Sequence, residues 1–227
     1  MGVHPIILLP GLDGTAKLFD RFLAVAPSHL SITPVALPSE KLTYGELADA
    51  VDTALPSGPI VVIAESFSGP LAITLAARRP IAGLVFCNSF IVAPQSRLFR
   101  LLFPPIMFKL PPPLWLLRRY MLGSDADDAL VRRVAEVVAS VPAAVLASRL
   151  ECVLGVNEVA AFAQTTAPAL YLQGTADRLV PESALQQMAA LRPVTTARLI
   201  GPHLLLQTNP TGAWEAILPF LDSLPGV

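Results

Sequence analysis

Short apolar runs alternate with longer amphipathic runs along most of this 227-residue chain. The longer runs space their apolar residues three and four apart, which is typical of helices that pack on a sheet. Most of the short runs are continuously hydrophobic, as strands buried on both faces must be. The six short runs, each predicted to be a strand, are PIILLP (5–10), SITPVAL (31–37), PIVVIA (59–64), AGLVFCN (82–88), PALYLQ (168–173) and TARLIG (196–201). The alternation predicts an α/β fold with an open, mostly parallel sheet covered by helices.

One interval breaks this alternation. Between Ser96 and Gln164 no run has the character of a strand, and the sequence is Pro-rich or helical. A structureless loop of this length is uncommon inside a compact domain, so an inserted helical cap is the better interpretation. The sequence therefore predicts a core formed by residues 1–95 and 165–227, with a cap formed by residues 96–164. Helices of the core are predicted at 16–26, 44–55, 67–79, 182–191 and 211–224.

Composition excludes several classes of protein. Hydrophobic residues make up 53% of the chain and charged residues 15%, which indicates a large core rather than disorder. The net charge of −1 provides no polyanion-binding surface, so no nucleic-acid partner is expected. The two cysteines, Cys87 and Cys152, form no metal motif and are interpreted as reduced thiols.

Neither the N-terminus nor the most apolar stretch has the pattern of a targeting or membrane segment. The N-terminal MGVHPIILLPG has no basic region and no cleavage site, so it is interpreted as a strand. The stretch from Phe99 to Leu117 carries Arg100, Lys109 and five prolines, which disfavours a transmembrane helix. A cytoplasmic protein with no transmembrane segment is the expectation.

Ser66 lies between the 59–64 strand and the nearly all-apolar 67–79 helix, in the frame Ala64-Glu65-Ser66-Phe67-Ser68. A nucleophile elbow usually reads G-x-S-x-G, because the tight strand-to-helix turn needs small residues on each side of the serine. Ala64 and Ser68 are small, so the missing glycines weaken the motif without breaking it. A frame centred on Ser68 would put Pro70 at a crowded position. Taken alone, Ser66 could equally be an ordinary strand-end serine.

Two further polar residues follow predicted strands. Asp177 comes after the 168–173 strand and His203 after the 196–201 strand. The carboxyl ends of parallel strands share one edge of a sheet, so both side chains are expected near Ser66. His203 would take the proton of the Ser66 hydroxyl, and Asp177 would orient the imidazole. The structural alternatives are a buried, hydrogen-bonded His203 and a helix-capping Asp177.

An oxyanion hole would complete this site. Its two expected donors are the backbone N–H of Phe67, which follows the nucleophile, and that of Leu12 in the loop LPGLDGT after the first strand. Asp13 is interpreted as a turn residue, with ordering of the loop through backbone amides as the alternative. This chemistry needs no cofactor and no metal.

The chain resembles the α/β-hydrolase family over nearly its whole length. The motifs that carry the resemblance occur in family order: ILLPGLDGT, VVIAESFSGPLA, LYLQGTADRLVP and GPHLLLQTNP. The resemblance implies an α/β-hydrolase sheet, a helical cap and a Ser-acid-His triad. The family's usual eight strands are expected to be about six here, because the chain begins at the strand that matches the family's third. Pro10 replaces the family's oxyanion-motif histidine, which is tolerable because the donor is a backbone amide.

The predicted function is that of a serine hydrolase cleaving an apolar acyl ester, with Phe103, Met107 and Trp115 binding the acyl group. A cationic group in the cap suggests an alternative, a thioesterase or acyltransferase acting on acyl groups carried by coenzyme A or acyl carrier protein. This group consists of Arg97, Arg100, Lys109, Arg118, Arg119, Arg132 and Arg133. A non-catalytic ligand-binding protein on a hydrolase fold is a third interpretation. A nucleotide binder is disfavoured, since GLDGTAK has Ala16 where a P-loop requires glycine.

Overall fold

The computed structural model describes residues 4–94 and 112–226. Six strands form one sheet, in the order β2-β1-β3-β4-β5-β6, and every pair of neighbouring strands is parallel. The strands are β1 (Ile6–Leu9), β2 (Ile32–Pro34), β3 (Ile60–Glu65), β4 (Ile81–Cys87), β5 (Ala169–Gly174) and β6 (Thr195–Leu199). All six predicted strands are present, and the predicted fold class is confirmed.

Helices follow most of the strands. They are α1 (Asp20–Ala24), α2 (Tyr44–Asp52), α3 (Ser68–Ala76), α4 (Leu114–Leu117, continued by a π-helical turn over Arg118–Leu122), α5 (Asp128–Ala139), α6 (Ala143–Gly155), α7 (Val159–Gln164), α8 (Glu182–Leu191), α9 (Leu205–Thr208) and α10 (Pro210–Asp222). The prediction of a helix from residue 16 was wrong at its start. Ala16 has a φ of 59°, which a right-handed helix cannot contain, so α1 begins only at Asp20.

The sheet has a hydrophobic core on each face. Ile7 and Val62 point to one face and pack with α2, α3 and α8, whereas Ile6 and Val61 point to the other and pack with α1 and α10. Successive side chains of a strand alternate between faces, so a sheet covered on both sides requires apolar residues at every position. This double burial explains why the strands are continuously hydrophobic.

The strand order determines where a site can form. β1 lies between β2 and β3, so the chain leaves β1 toward one edge and later continues from β3 toward the other. Such a reversal opens a crevice at the carboxyl ends of the two central strands, where α/β proteins bind ligands. The loop after β1 and the turn after β3 border this crevice.

Helices α4 to α7 lie between β4 and β5 in the sequence. Apolar side chains of α4, its π-helical continuation and α5 form a separate cluster that also contains Leu18 and Leu204, whereas Leu150 and Val153 of α6 join the main core. Among the described residues no single helix is long and apolar enough to cross a membrane, although α5 and α6, bent by 95°, pass that test together by length and composition. Cys87 and Cys152 are free thiols.

Candidate active site

Ser66 occupies a sharp turn between β3 and α3. Its φ is 48°, a left-handed conformation that a residue with a side chain rarely adopts. The turn is held from β4 and the residues after it: the N–H of Ser66 donates to the Cys87 carbonyl at 2.9 Å, and the Ser89 hydroxyl donates to the Ser66 carbonyl at 2.6 Å. A strained serine at a strand-to-helix turn is the geometry of a nucleophile elbow.

Close packing explains why residues around the elbow are small. A Cβ atom added to Gly69 would lie 1.9 Å from the Ser89 Oγ, so this position excludes any side chain. Ser68 is fully buried, and its hydroxyl donates to the Pro10 carbonyl at 2.5 Å. The Ser68 hydroxyl therefore supports the loop after β1, and Ser66 is the serine that reaches the histidine.

Ser66, His203 and Asp177 are brought together as one hydrogen-bonded chain. The Ser66 Oγ lies 2.8 Å from the His203 Nε2, and the His203 Nδ1 lies 2.9 Å from the Asp177 Oδ2. The other carboxylate oxygen of Asp177 accepts from the backbone N–H groups of Leu179 and Val180 at 2.8 and 3.1 Å. With Nδ1–H donated to Asp177, Nε2 is the acceptor that faces the serine hydroxyl.

Charge near His203 favours the protonated imidazole. His203 is only 3% exposed, and burial lowers the pKa of its imidazole. The charge and hydrogen bond of Asp177, together with the charge of Glu65, outweigh burial and raise the pKa of His203 above its usual value. The imidazole is thereby suited to accept a proton.

Asn88 was not recognised as a site residue from the sequence. It follows β4 with a φ of 45°, and its amide nitrogen donates to the carbonyls of Pro202 and His203 at 2.9 and 2.8 Å. Its amide oxygen accepts from the Gly174 N–H at 2.7 Å. Asn88 thus joins the two loops that carry Asp177 and His203. The available signal was an asparagine directly after a buried strand.

The loop after β1 runs beside the elbow. A Cβ atom added to Gly11 would lie 4.0 Å from the Ser66 Cβ, and the Gly14 N–H closes a turn onto the Gly11 carbonyl at 3.0 Å. Within the described ranges, the backbone N–H groups of Leu12 and Phe67 donate to no other group. These are the two donors predicted for the oxyanion hole.

Asp13 orders this loop rather than merely occupying a turn. Its Oδ2 accepts from the Thr15 N–H at 2.9 Å and from the Thr15 hydroxyl at 2.6 Å. The side chain therefore closes a local ring of hydrogen bonds just after Leu12.

Glu65, directly before Ser66, is a second residue that the sequence does not single out. It is 1% exposed and accepts a hydrogen bond from the Gln207 Nε2 at 3.2 Å. Burial raises the pKa of Glu65 to about 7, and the charge of Asp13 adds to the rise, whereas Gln207 and His203 oppose it. A buried carboxyl group that titrates near neutrality thus lies between the elbow and the loop after β1.

We expect this carboxyl group to make the protein less stable as pH rises. In the unfolded chain the pKa of Glu65 is 4.5, and in the folded chain it is about 7. Between these values only the folded protein keeps the proton, so the free energy of unfolding falls with pH, by on the order of 3 kcal/mol once both pKa values are passed. Glu65→Gln removes this titration. Urea unfolding at pH 5 and pH 8 should therefore show the variant gaining stability relative to the wild type at pH 8; parallel pH dependence would contradict the expectation.

Of the three predicted acyl-binding residues, Trp115 lies among the described residues. Phe103 and Met107 lie outside the described residues. Trp115 is 68% exposed and lines an open groove of about 860 Å³, whose other walls include Ile200, Pro202 and Arg178 from the loops after β5 and β6. Trp115 is thus a surface residue beside the loops that carry Asp177 and His203.

Residues 6–216 match the model of the alpha/beta hydrolase family, and the chain belongs to that family. An enol-lactonase from Burkholderia xenovorans has the same fold, with a TM-score of 0.83, 16% identity and coverage of 98% of this chain and 93% of that one. A thermophilic esterase from Thermogutta terrifontis has a TM-score of 0.82 and 16% identity, with coverage of 98% of this chain and 90% of that one. An esterase from a Rhodococcus species has a TM-score of 0.79 and 18% identity, with coverage of 98% of this chain and 92% of that one. No curated protein matches the sequence.

Proposed function

We propose that this chain is a serine hydrolase that cleaves an ester of an apolar acyl group. The observation that carries the proposal is the hydrogen-bonded chain from the Ser66 Oγ through His203 to Asp177, at 2.8 and 2.9 Å, with Ser66 in a left-handed turn. Membership of the alpha/beta hydrolase family supports hydrolase activity in general. The triad, the covalent intermediate and the ester specificity are our proposal.

In the first half-reaction, the Ser66 oxygen attacks the acyl carbon while His203 Nε2 accepts the hydroxyl proton. The electron pair of the carbonyl moves to its oxygen, and the backbone N–H groups of Leu12 and Phe67 stabilise the resulting oxyanion. Collapse of the tetrahedral intermediate breaks the bond to the alcohol. His203 returns its proton to the leaving alcohol, and an acyl-enzyme on Ser66 remains.

In the second half-reaction, His203 removes a proton from water, which attacks the acyl carbon. The same two N–H groups stabilise the second oxyanion, and collapse releases the carboxylic acid and restores the Ser66 hydroxyl. Asp177 stabilises the imidazolium that forms twice per cycle. Its charge is already the main influence that favours the protonated form of His203.

The substrate class is inferred from the surroundings of the triad. Structures with the same fold include two esterases and an enol-lactonase, which supports an ester as the substrate class. Trp115 and Ile200, which are 68% and 85% exposed, offer apolar surface along the groove beside the triad loops. Residues 96–164 are proposed as the cap, with Phe103 and Met107 as further acyl-binding residues.

A fluorophosphonate probe and a panel of p-nitrophenyl esters of increasing acyl length test the proposal. The wild-type chain should be labelled once, on Ser66, and should hydrolyse medium-chain esters faster than the acetate. His203→Ala should be labelled far more slowly, because its serine lacks a general base. A wild-type protein that is neither labelled nor active on any ester would exclude a serine hydrolase.

A carrier-linked acyl substrate is the second candidate, and the arginines that line the groove beside Trp115 favour it. Four arginines line the groove; Arg21 and Arg118 pair with aspartates, whereas Arg119 lies over the Tyr120 ring and Arg178 donates to a backbone carbonyl. Asp125 also lines the groove, so the last two arginines leave a net positive charge of one for an anionic carrier such as coenzyme A or acyl carrier protein. Adding acyl-coenzyme A thioesters to the panel decides: a carrier substrate should be preferred at low salt, and the preference should shrink as salt rises.

A further inference from the structure

Arg149 is the largest fully buried side chain of the protein's described residues. It lies on α6, in the segment between β4 and β5, and is 2% exposed. No carboxylate among the described residues forms an ion pair with it. The charge of Asp13 favours the Arg149 cation from beyond ion-pair distance. Burying a cation is expensive in free energy, so the hydrogen bonds of Arg149 indicate what it does.

The guanidinium of Arg149 is held by backbone carbonyls. One nitrogen, Nη1, donates to the carbonyls of Leu12 and Asp13 at 3.0 and 2.6 Å, and Nη2 donates to the carbonyl of Pro38 at 2.9 Å. The planar fork of the guanidinium therefore ties the loop after β1 to the segment after β2. Both carbonyls of the turn's central residues converge on one nitrogen atom, which fixes the orientation of the turn.

The fit around Arg149 leaves no room for a side chain at position 14. Gly14 has a φ of 68°, and a Cβ atom added to it would lie 2.3 Å from the Arg149 Nη1. The side chain of Leu12 packs against the main core and against a small cluster that contains Val145 and Leu146 of the same helix as Arg149. Helix α6 thus contacts both the carbonyl and the side chain of Leu12.

From these contacts we infer that Arg149 is a positioning residue for the oxyanion hole: it fixes the Leu12 backbone so that the Leu12 N–H points at the developing oxyanion. The inference rests on the proposed function, because it assigns the geometry of one proposed donor to a residue 137 positions away in the sequence. Arg149 does not contact the substrate. It acts by restricting the turn that presents the donor, which must be pre-organised before the reaction to be effective.

The test compares Arg149→Met with the wild-type chain on the best ester of the panel. Methionine retains an apolar stem and removes all three carbonyl contacts. We expect kcat per active site, with sites counted by phosphonate titration, to fall about 10- to 100-fold, with KM changed less than about twofold. An alkyl trifluoromethyl ketone, whose tetrahedral adduct needs the oxyanion hole, should lose affinity by the same factor.

Two further variants separate positioning from a general loss of stability. Arg192→Met is the matched control, because Arg192 also donates to a backbone carbonyl, that of Ala167, but lies far from the loop in its contacts. Its kcat and inhibitor affinity should equal those of the wild type. Arg149→Lys keeps the charge but cannot form the planar fork, so its kcat should fall by at least about fivefold.

The outcomes divide clearly. Unchanged kcat per active site and unchanged ketone affinity in Arg149→Met would overturn the inference, as would an equal loss in Arg192→Met. If Arg149→Met does not fold, the same two measurements on Arg149→Lys decide in the same way. Failure of the proposed function is recognised separately, since the wild-type chain would then show neither labelling nor turnover.

Discussion

Replacing Ser66 with alanine should lower kcat for esters by roughly 10³-fold or more and abolish labelling by the phosphonate probe. The Ser66 Oγ is the atom 2.8 Å from the His203 Nε2, and its removal leaves no nucleophile on the elbow. Binding and the oxyanion donors remain, so residual hydrolysis above the uncatalysed rate is expected. The measurement is steady-state hydrolysis of the preferred ester, together with labelling followed by mass spectrometry.

Ser68→Ala is the matched control for this prediction. It deletes a hydroxyl two residues away whose hydrogen bond goes to the Pro10 carbonyl. The variant should still be labelled on Ser66 and should retain most of its activity, while losing about 1 kcal/mol of unfolding free energy with that hydrogen bond. An active Ser66→Ala with an inactive Ser68→Ala would show that Ser68 is the nucleophile.

Asp177→Asn should lower kcat by up to about 10⁴-fold without unfolding the protein. The Asp177 Oδ1 accepts from Leu179 and Val180, and an asparagine oxygen can preserve both bonds. The amide nitrogen then faces the His203 Nδ1 and donates to it, which leaves the proton on Nε2. An imidazole with a protonated Nε2 cannot accept the serine proton, so the nucleophile is not activated.

Thermal unfolding and kinetics together check the Asp177 prediction. The variant should unfold within a few degrees of the wild type, whereas its kcat falls. Asp49→Asn, which removes an exposed ion pair with Arg78, should change neither quantity measurably. Wild-type activity in Asp177→Asn would mean that another group orients His203.

The strands and the meeting of Ser66, Asp177 and His203 were predictable because each depends on local sequence and one topological rule. A strand buried on both faces is continuously apolar, and parallel strands end at the same edge, which brings the residues after β3, β5 and β6 together. That rule brings Ser66 and His203 to the same edge of the sheet. The structure was needed to show that Ser66, rather than Ser68, makes the contact.

The supporting residues could not be predicted in this way. Asn88 bonds to the His203 carbonyl across 115 positions, and Arg149 bonds to the Leu12 carbonyl across 137. Neither contact produces periodicity or a local motif, because one partner is always a backbone group that any residue can supply. Glu65 reads as the end of a strand, and only its burial beside Asp13 and Gln207 distinguishes it.

The contacts between α6 and the loop after β1 limit how this molecule can be re-engineered. Leu12 is held by the carbonyl bond to Arg149 and by packing on the cluster of Val145 and Leu146, all from α6. The segment between β4 and β5 is therefore not an exchangeable module. A chimera that receives a relative's segment at this place should retain activity only if the graft also restores an equivalent of this helix against the turn.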